Sequence, residues 1–465
     1  MLDKDTLSEV LHVALTNGGD FADVYVEHKK MTGIGCEDGK IERIHSGIES
    51  GAGIRVLLGD ITSYAYTNDL SREGLLKAAA IVSHAVSGQG GEQKDFVLQS
   101  VVSPVKFAVL QRPDQVGTEQ KVQAVRAADV AARSVDRSKI KQVMVGYSDV
   151  VQQVTVANSR GYFVEDERIR TRLVVNAVAV DGAVIQTGYE AVGSHSGFEL
   201  LERHKPEDVG TAAARRAVQM LNARPAPAGK MPVVLAGEAG GTMVHEACGH
   251  GLEADLVQKG LSVYAGKKGQ QVAAPCVTVV DDATLPDRYG SYSFDDEGVP
   301  ARKVVLIENG ILQDFLYDRL TAHRDGVESN GHGRRESYQH KPIPRMANTY
   351  IAPGQDDPAQ IIRDAGNGLL VKKMGGGQVN TTTGDFVFDV AEGYLIEGGA
   401  VGPLVRGATL TGNGPAVLRT IEAVGSDLGF TIGVCGKDGQ GVPVSDAQPT
   451  IRIKELVVGG TGFSE

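Results

Sequence analysis

The chain of 465 residues has no tryptophan and only four cysteines, which lie far apart in the sequence. Scattered cysteines do not form the disulfide framework of a small secreted domain, because such frameworks need many closely spaced cysteines. We therefore expect reduced thiols, as in a cytoplasmic protein. The four are Cys36, Cys248, Cys276 and Cys435.

Long apolar runs and runs of basic residues are also missing. No stretch reaches the roughly 18 apolar residues that a membrane-spanning helix needs. The first segment, MLDKDTLSEVLHVALTNGG, lacks the basic start and apolar core of a secretory signal. Acidic residues outnumber basic ones by 58 to 47, giving a net charge of -11, which disfavours nucleic acid and anionic membranes as partners. A soluble, cytoplasmic protein is expected.

Glycine, in contrast, is abundant, with 59 residues. Glycine suits tight turns and bulges, so it favours a β-rich architecture, and the length favours two domains. We predict an α+β protein in which residues 1–223 form a mixed α/β domain with an antiparallel sheet and helices. Residues 224–230 are proline-rich and read as a linker. Residues 231–465 are predicted to form a β-rich, antiparallel, barrel-like domain.

Apolar residues recur at helical spacing in several segments, and short alternating runs between them predict strands. Helices are predicted over residues 6–17, 71–86, 118–136, 206–221, 358–365 and 416–424. A further helix, bracketed by glycines, is predicted within the segment GEAGGTMVHEACGHGLEAD.

That last helix carries two histidines, with Glu246 directly after His245 and with His250 five residues on. Imidazoles are good zinc ligands, and a neighbouring carboxylate can take a proton from water. On a regular α-helix, residues five apart are separated by about 140°, so the two histidines cannot bind one ion from undisturbed geometry. Gly249 and Gly251 flank His250, and we predict that the helix ends or widens into a π-bulge there.

Two histidines are too few for stable zinc binding, and a third ligand must come from elsewhere. Composition alone leaves the choice among several residues open. Other residues are given structural roles. We predict that Asp281–Asp282 and Asp295–Glu297 form solvated turns and that Cys276 belongs to the core. The open candidates for the third ligand are Cys248, Cys435, His323, His332 and His340.

Several longer segments, in the right order, resemble one known family. They are HEACGHGLEAD (245–255), GSYSFDDEGVPA (290–301), NGHGRRESYQHKPIPRMANTY (330–350), VRGATLTGNG (405–414) and VCGKDGQ (434–440). The chain is similar to the TldD/PmbA metallopeptidases, and within them to the TldD-like branch in which the histidine motif is intact. The resemblance implies a zinc ion held by His245, His250 and Cys435, with Glu246 as the general base.

The resemblance also implies partners. The substrate would be an unfolded polypeptide or a short peptide. The β-rich second domain separately suggests that such a chain is held along an exposed strand edge. The protein would form a homodimer, or a heterodimer with a paralogue that lacks the motif. Arg334, Arg335 and Tyr338 lie in a glycine-rich loop and are candidates for substrate binding. Two alternatives are a regulatory or binding protein with a structural metal, and an amide hydrolase that tailors a peptide product.

Overall fold

One long-stranded sheet organises the N-terminal half of the chain. The computed structural model describes residues 2–86 and 95–460, and within these the sheet has seven strands. They are β1 Phe21–Glu37, β2 Lys40–Leu58, β3 Ile61–Thr67, β4 Gln99–Ser100, β5 Ile140–Asn158, β6 Tyr162–Asp181 and β7 Val184–Ser194. Their order is β3-β2-β1-β5-β6-β4, with β7 also paired to β6, and every pairing except β4–β6 is antiparallel.

Helices pack against this sheet in two groups. They are α1 Lys4–Ala14, α2 Arg72–Ala85, α3 Thr118–Val135, α4 Leu200–Arg203 and α5 Pro206–Leu221. Apolar residues of α1 and α2, such as Leu11 and Val82, form one core with Ile54 of β2. Residues of α3 and α5, such as Val125 and Ala213, form a second core further along the long strands.

The C-terminal half is richer in strands. In chain order they are β8 Arg224–Pro225, β9 Gly229–Leu235, β10 Val279–Asp282, β11 Lys303–Glu308, β12 Ile311–Leu312, β13 Gly333–Arg334, β14 Ile343–Pro344, β15 Asn348–Ile351, β16 Gly368–Asn380, β17 Asp385–Glu397, β18 Ala400–Arg406, β19 Thr409–Asn413, β20 Ile421–Val424, β21 Gly429–Lys437, β22 Gln440–Gln448 and β23 Ile451–Gly459. The helices are α6 Thr242–Val244, α7 Ala254–Gln258, α8 Arg319–Asp325, α9 Pro358–Asp364 and α10 Gly414–Arg419.

Five of these strands close into a barrel. The order β16-β9-β23-β19-β17 returns to its start because β16 also pairs with β17. Leu235, Val371, Phe388, Leu410 and Ile453 belong to the buried cluster that fills the barrel and extends to the histidine motif. The expected α+β fold with a barrel-like C-terminal region is confirmed.

A second sheet of the C-terminal half lies beside the barrel and has the order β12-β11-β10-β15-β22-β21. β21 is the last strand of this order, so β22 pairs with only one of its edges. The position of β21 matters below, because this strand carries Cys435.

The predicted helices match the observed ones closely, with one error. Over residues 416–424, α10 ends at Arg419 and the following residues form β20. β20 pairs with β23, so sheet pairing overrides the local helical pattern. α8, which the sequence pattern did not predict, begins with a capping box at Asp318 and Thr321.

A buried group of ion pairs joins the two halves of the chain, and we call its five residues the buried charge cluster. They are Asp23, Arg55, Arg168, Asp296 and Glu297. Arg55 on β2 donates to Asp23 and, at 2.6 Å, to Glu297. Arg168 on β6 donates to Asp296 at 2.6 Å. Each pair is almost fully buried, and removing one partner of such a pair costs about 3–5 kcal/mol.

The prediction that Asp295–Glu297 form a solvated turn is wrong, because all three carboxylates are buried and arginines of the N-terminal sheet pair with Asp296 and Glu297. Asp281 is also buried, 3.0 Å from His332 Nε2 and in contact with backbone N–H groups. The core assignment of Cys276 is wrong as well, since this residue is exposed in a turn before β10.

Asp318→Asn is expected to remove part of the pH dependence of folding stability. Burial, and then the charge of Glu297, raises the pKa of Asp318 to about 7, whereas an unfolded aspartate titrates near about 4. Because the folded-state pKa is the higher one, stability is fully present below about pH 4 and is lost as the pH rises through about 7. As the pH rises from 5 to 8, the free energy of unfolding of the wild type should fall by on the order of a few kcal/mol more than that of the variant.

Urea unfolding at pH 5 and pH 8 measures this difference. The matched control is Asp357→Asn, which changes an exposed N-cap aspartate at the start of α9 and should leave the wild-type pH dependence in place. Identical pH profiles for the wild type and Asp318→Asn would contradict the prediction.

Candidate metal centre

The histidine motif lies on a helix that changes its hydrogen-bonding pattern. α6 leads into a π-helical turn over His245–Gly249, and a 3₁₀ turn over His250–Leu252 follows. The His250 N–H donates to the His245 carbonyl, five residues back. The predicted departure from α-helical geometry between the two histidines is confirmed, and one widened turn places the two side chains on the same side.

Close packing explains the glycines of this segment. A Cβ atom on Gly249 would lie 2.2 Å from Met346 Sδ, and one on Gly251 would lie 2.8 Å from the Tyr264 ring. The Tyr264 hydroxyl donates to the Ala247 carbonyl at 2.9 Å. The widened turn is therefore fixed by the buried core beneath it.

Three side chains from two distant parts of the sequence meet at this turn. One donor atom each from His245, His250 and Cys435 lies within 4.8 Å of the others. Cys435 Sγ is 3.3 Å from His250 Nε2, and the two imidazole rings are nearly perpendicular, with centroids 5.0 Å apart. Sequence separation alone left the third ligand open, and the fold brings Cys435 to the pair.

A carboxylate lies behind each imidazole. His250 Nδ1 is 3.1 Å from Glu253 Oε2, and His245 Nδ1 is 3.3 Å from Asp446 Oδ1. A carboxylate at Nδ1 fixes the ring orientation and leaves Nε2 as the nitrogen for a metal.

Glu253 also links the motif to strand β21. Besides His250, it contacts Lys437 Nζ at 3.2 Å and lies 3.9 Å from Arg345 Nε. Arg345 in turn donates to the Cys435 carbonyl, and Lys437 donates to Asp255 at 2.6 Å. One buried carboxylate thus contacts His250 directly and is connected through Arg345 to the backbone of Cys435.

The charges within this group favour a thiolate. Burial opposes ionisation of Cys435, but the charges of His245 and His250 and their hydrogen bonds lower the pKa of its thiol to about 5. Burial likewise opposes protonation of His250, yet Glu253 and Cys435 raise its pKa to about 9. The thiolate is the form of cysteine that binds metals, and the protons on the imidazoles are those that metal binding releases.

Glu246 lines the same cavity as the three donors and has no hydrogen-bond partner among residues 2–86 and 95–460. Burial raises the pKa of this carboxyl, although His245 and His250 act in the opposite direction. The cavity has a volume of about 850 Å³, and residues Thr431 to Lys437 of β21, a strand paired on one edge only, line it together with Val444 and Asp446 of β22.

Other candidates named from the sequence lie elsewhere. Arg334 donates to the Met346 and Pro443 carbonyls. Arg335 donates to the Asp296 carbonyl at 3.0 Å, and the Tyr338 N–H donates to Glu27 at 2.8 Å. All three side chains are buried and none lines the 850 Å³ cavity.

Cys248 is also outside the donor cluster. It is fully buried in the apolar core, and burial raises the pKa of its thiol to about 12. His332 pairs with Asp281, and His340 lies 3.0 Å from the Ser337 hydroxyl. Neither belongs to the group of three side chains that could hold a metal ion in the described part of the chain.

Sequence reasoning missed the supporting residues Glu253, Lys437 and Asp446. Glu253 lies in the same motif segment as the histidines. Lys437 follows Cys435 by two residues on one strand, so these two side chains point to the same face of the sheet. Asp446 gives no local signal, because only the pairing of β21 with β22 brings it near His245.

Sequence profiles of one family match successive parts of the chain. The PmbA/TldA metallopeptidase profiles match residues 22–128 with domain 1, residues 111–221 with the central domain and residues 228–460 with the C-terminal domain. A metalloprotease TldD homolog of Haemophilus influenzae is 36% identical over 468 residues, covering 99% of this chain and 97% of the relative. A metalloprotease of Methanothermobacter thermautotrophicus is 37% identical over 463 residues, covering 99% and 100%.

Solved structures show the same fold. A candidate modulator of a DNA gyrase from Thermotoga maritima has a TM-score of 0.81 at 24% identity, covering 98% of this chain and 99% of that one. TldE from Thermococcus kodakarensis has a TM-score of 0.77 at 20% identity, covering 98% and 100%. With family profiles along its length and relatives more than a third identical end to end, the chain belongs to the PmbA/TldD family of metallopeptidases.

Proposed function

We propose that this metallopeptidase uses zinc held by His245, His250 and Cys435, and that Glu246 is the general base in hydrolysis of unfolded polypeptides or short peptides. One observation carries the proposal. Three side chains that could hold a metal ion and a carboxylate without a hydrogen-bond partner in the described residues line one cavity, together with β21, a strand paired on one edge only.

The donor set fits zinc. Bond lengths of about 2.0–2.1 Å to nitrogen and about 2.3 Å to sulfur place two donors of a tetrahedral ion about 3.5 Å apart, and Cys435 Sγ lies 3.3 Å from His250 Nε2. A thiolate with two imidazoles disfavours magnesium and calcium, which prefer oxygen ligands. Three protein ligands leave one tetrahedral position for water or substrate, as in catalytic zinc sites.

Zinc bound there would supply a Lewis acid that polarises the scissile carbonyl and makes water more acidic. The carboxylate of Glu246 accepts the proton that the attacking water loses, and then delivers it to the departing amine. Partial burial of Glu246 keeps bulk water from competing for this proton. Asp446 and Glu253 hold the imidazoles in place while the proton moves.

The free edge of β21 supports the proposed substrate class. An extended peptide can pair with such an edge through main-chain hydrogen bonds, which read little side-chain sequence. Residues Thr431 to Lys437 of this strand line the cavity, and Cys435 is one of them. A bound peptide would therefore run past the donor cluster in extended form.

Two other functions have less support. A regulatory protein with a structural metal would normally supply four ligands, whereas the described residues bring three together beside Glu246. An amide hydrolase that tailors a peptide product would use the same side chains and differ only in its substrate.

Assembly and location also belong to the proposal. We propose a homodimer, or a heterodimer with a motif-less paralogue, supported by the likeness in fold to TldE. Four free cysteines support a cytoplasmic location. Among the described residues, no helix is both long and apolar enough to cross a bilayer.

Glu246→Gln is expected to lower kcat for peptide cleavage by about 10²–10⁴-fold, which is the usual contribution of a general base. Zinc content should stay near one per chain, since Glu246 is not a ligand in the proposed site. The matched control, Glu238→Gln, changes an exposed carboxylate eight residues earlier and should keep wild-type activity. Retained kcat in Glu246→Gln would defeat the catalytic assignment.

Glu253→Gln is expected to weaken zinc binding by about 10–100-fold, because outer-shell partners of a ligating histidine typically contribute that much. Competition titration with a chelator measures the affinity. Asp255→Asn is the comparison, since Asp255 contacts Lys437 but neither imidazole, and its loss should be smaller. Equal zinc affinity of Glu253→Gln and the wild type would contradict the role assigned to Glu253.

The strand-edge mode predicts strong discrimination by substrate folding. A stably folded protein exposes its backbone in extended form only when it opens, so its reduced and alkylated form should be cleaved at least on the order of 100-fold faster. Equal rates for the two forms, followed by gel electrophoresis, would exclude pairing with an extended chain.

A further inference from the structure

A second cavity adjoins the metal cavity near the start of β21. Its volume is about 340 Å³, and Ala191, Lys373, Thr431 and Ile432 line both cavities. β7 and the segment around Arg288 form the other walls. A ligand that lies along β21 in the first cavity would reach the second one by continuing in the same direction.

Positive charge exceeds negative charge on the walls of this second cavity. Arg203, Arg288 and Lys373 face two carboxylates, Glu190 and Asp287. Arg203 pairs with Asp287 at 2.9 Å, and Lys373 pairs with Glu190 at 2.8 Å. Both carboxylates are therefore engaged, and Arg288 is the remaining cation.

The Arg288 guanidinium has no ion pair within 4 Å and makes no hydrogen bond in the part of the chain that the structure describes. Its carbon Cζ lies 3.9 Å from the centroid of the Phe430 ring, so stacking fixes the plane of the group while its N–H donors stay available. Burial lowers the pKa of Arg288, and Asp287 acts in the opposite direction.

The backbone holds Arg288 in position. Its carbonyl accepts hydrogen bonds from His195 N at 3.3 Å and Ser291 N at 3.2 Å, and the next residue, Tyr289, donates its N–H to Ser445 at 2.9 Å. Ser445 belongs to β22, the partner of β21. The cation is thus attached to the same sheet that carries the metal ligand.

We propose that Arg288, stacked on Phe430, forms a specificity subsite that binds a carboxylate of the peptide substrate. A planar guanidinium with free donors matches a carboxylate in a bidentate arrangement. The carboxylate is either the free C-terminus of a peptide or an acidic side chain. This inference rests on the proposed peptidase function and names a feature of its substrates.

Strand geometry gives the distance between the subsite and the cleaved bond. Phe430 precedes Cys435 by five residues on β21, and five residues of an extended strand span about 17 Å. A paired peptide advances at the same rate, so the recognised carboxylate lies about five residues from the scissile bond.

Three otherwise identical peptides test the subsite with the zinc-loaded wild-type protein. One has a free C-terminus, one is C-terminally amidated, and one is amidated but carries a glutamate at its last residue. We expect the wild type to prefer at least one carboxylate-bearing peptide over the plain amide by about tenfold in KM, the size of one charge-assisted hydrogen bond. The preferred peptide identifies the source of the carboxylate.

Arg288→Gln should reduce that preference to about one, whereas Arg137→Gln, which removes an exposed arginine far along the chain, should retain it. Arg288→Lys should restore part of this preference, because a lysine keeps the positive charge but lacks the planar pair of N–H donors. A wild type that cleaves all three peptides with equal KM, or an undiminished preference in Arg288→Gln, would overturn the proposal.

Binding separates this outcome from failure of the proposed function. Calorimetric titration of the three peptides into Glu246→Gln measures affinity without turnover. Tighter binding of the carboxylate peptides that is lost in the double variant Glu246→Gln/Arg288→Gln supports the subsite even if no peptide is cleaved. Equal affinities of all three peptides for Glu246→Gln would overturn the subsite and leave the peptidase assignment untouched.

Discussion

A single hydrogen bond sets the geometry of the cluster formed by His245, His250 and Cys435. The bond from the His250 N–H to the His245 carbonyl closes a five-residue turn, and without it the two imidazoles would point in directions about 140° apart. Gly249 and Gly251 let the turn press against Met346 and Tyr264, so the core stabilises an otherwise uncommon backbone. The donor cluster depends on this turn first and on Cys435 second.

The second requirement is that the motif and β21 stay in register. Glu253 contacts His250 directly, and Lys437 and Arg345 connect Glu253 to the strand that carries Cys435. The same strand lines the 850 Å³ cavity and adjoins the smaller one at its start. Metal binding, substrate pairing and carboxylate recognition would therefore all use β21, a strand whose position the buried charges fix.

Local pattern predicted most helices, the barrel-like character of the C-terminal half and the break in the motif helix, because each leaves a periodic or glycine signal. The predicted ends of helices were wrong where strand pairing determines them, as at β20. The prediction that Asp281 and Asp296 are solvated was wrong, because the sequence does not reveal their buried partners His332 and Arg168. The contact between Asp446 and His245 could not be predicted for the same reason, and neither could the cavity around Arg288. Long-range pairing carries this information.

The buried charge cluster limits how the chain can be divided. Asp296 and Glu297 obtain their cationic partners Arg168 and Arg55 from β6 and β2, so a fragment beginning near residue 231 would lose both arginines. Removing one partner of a buried ion pair costs about 3–5 kcal/mol of folding stability, which is comparable to the total stability of many domains. We therefore expect the half that carries the histidines and Cys435 to be unstable as an isolated fragment, and heating to melt the whole chain in one transition.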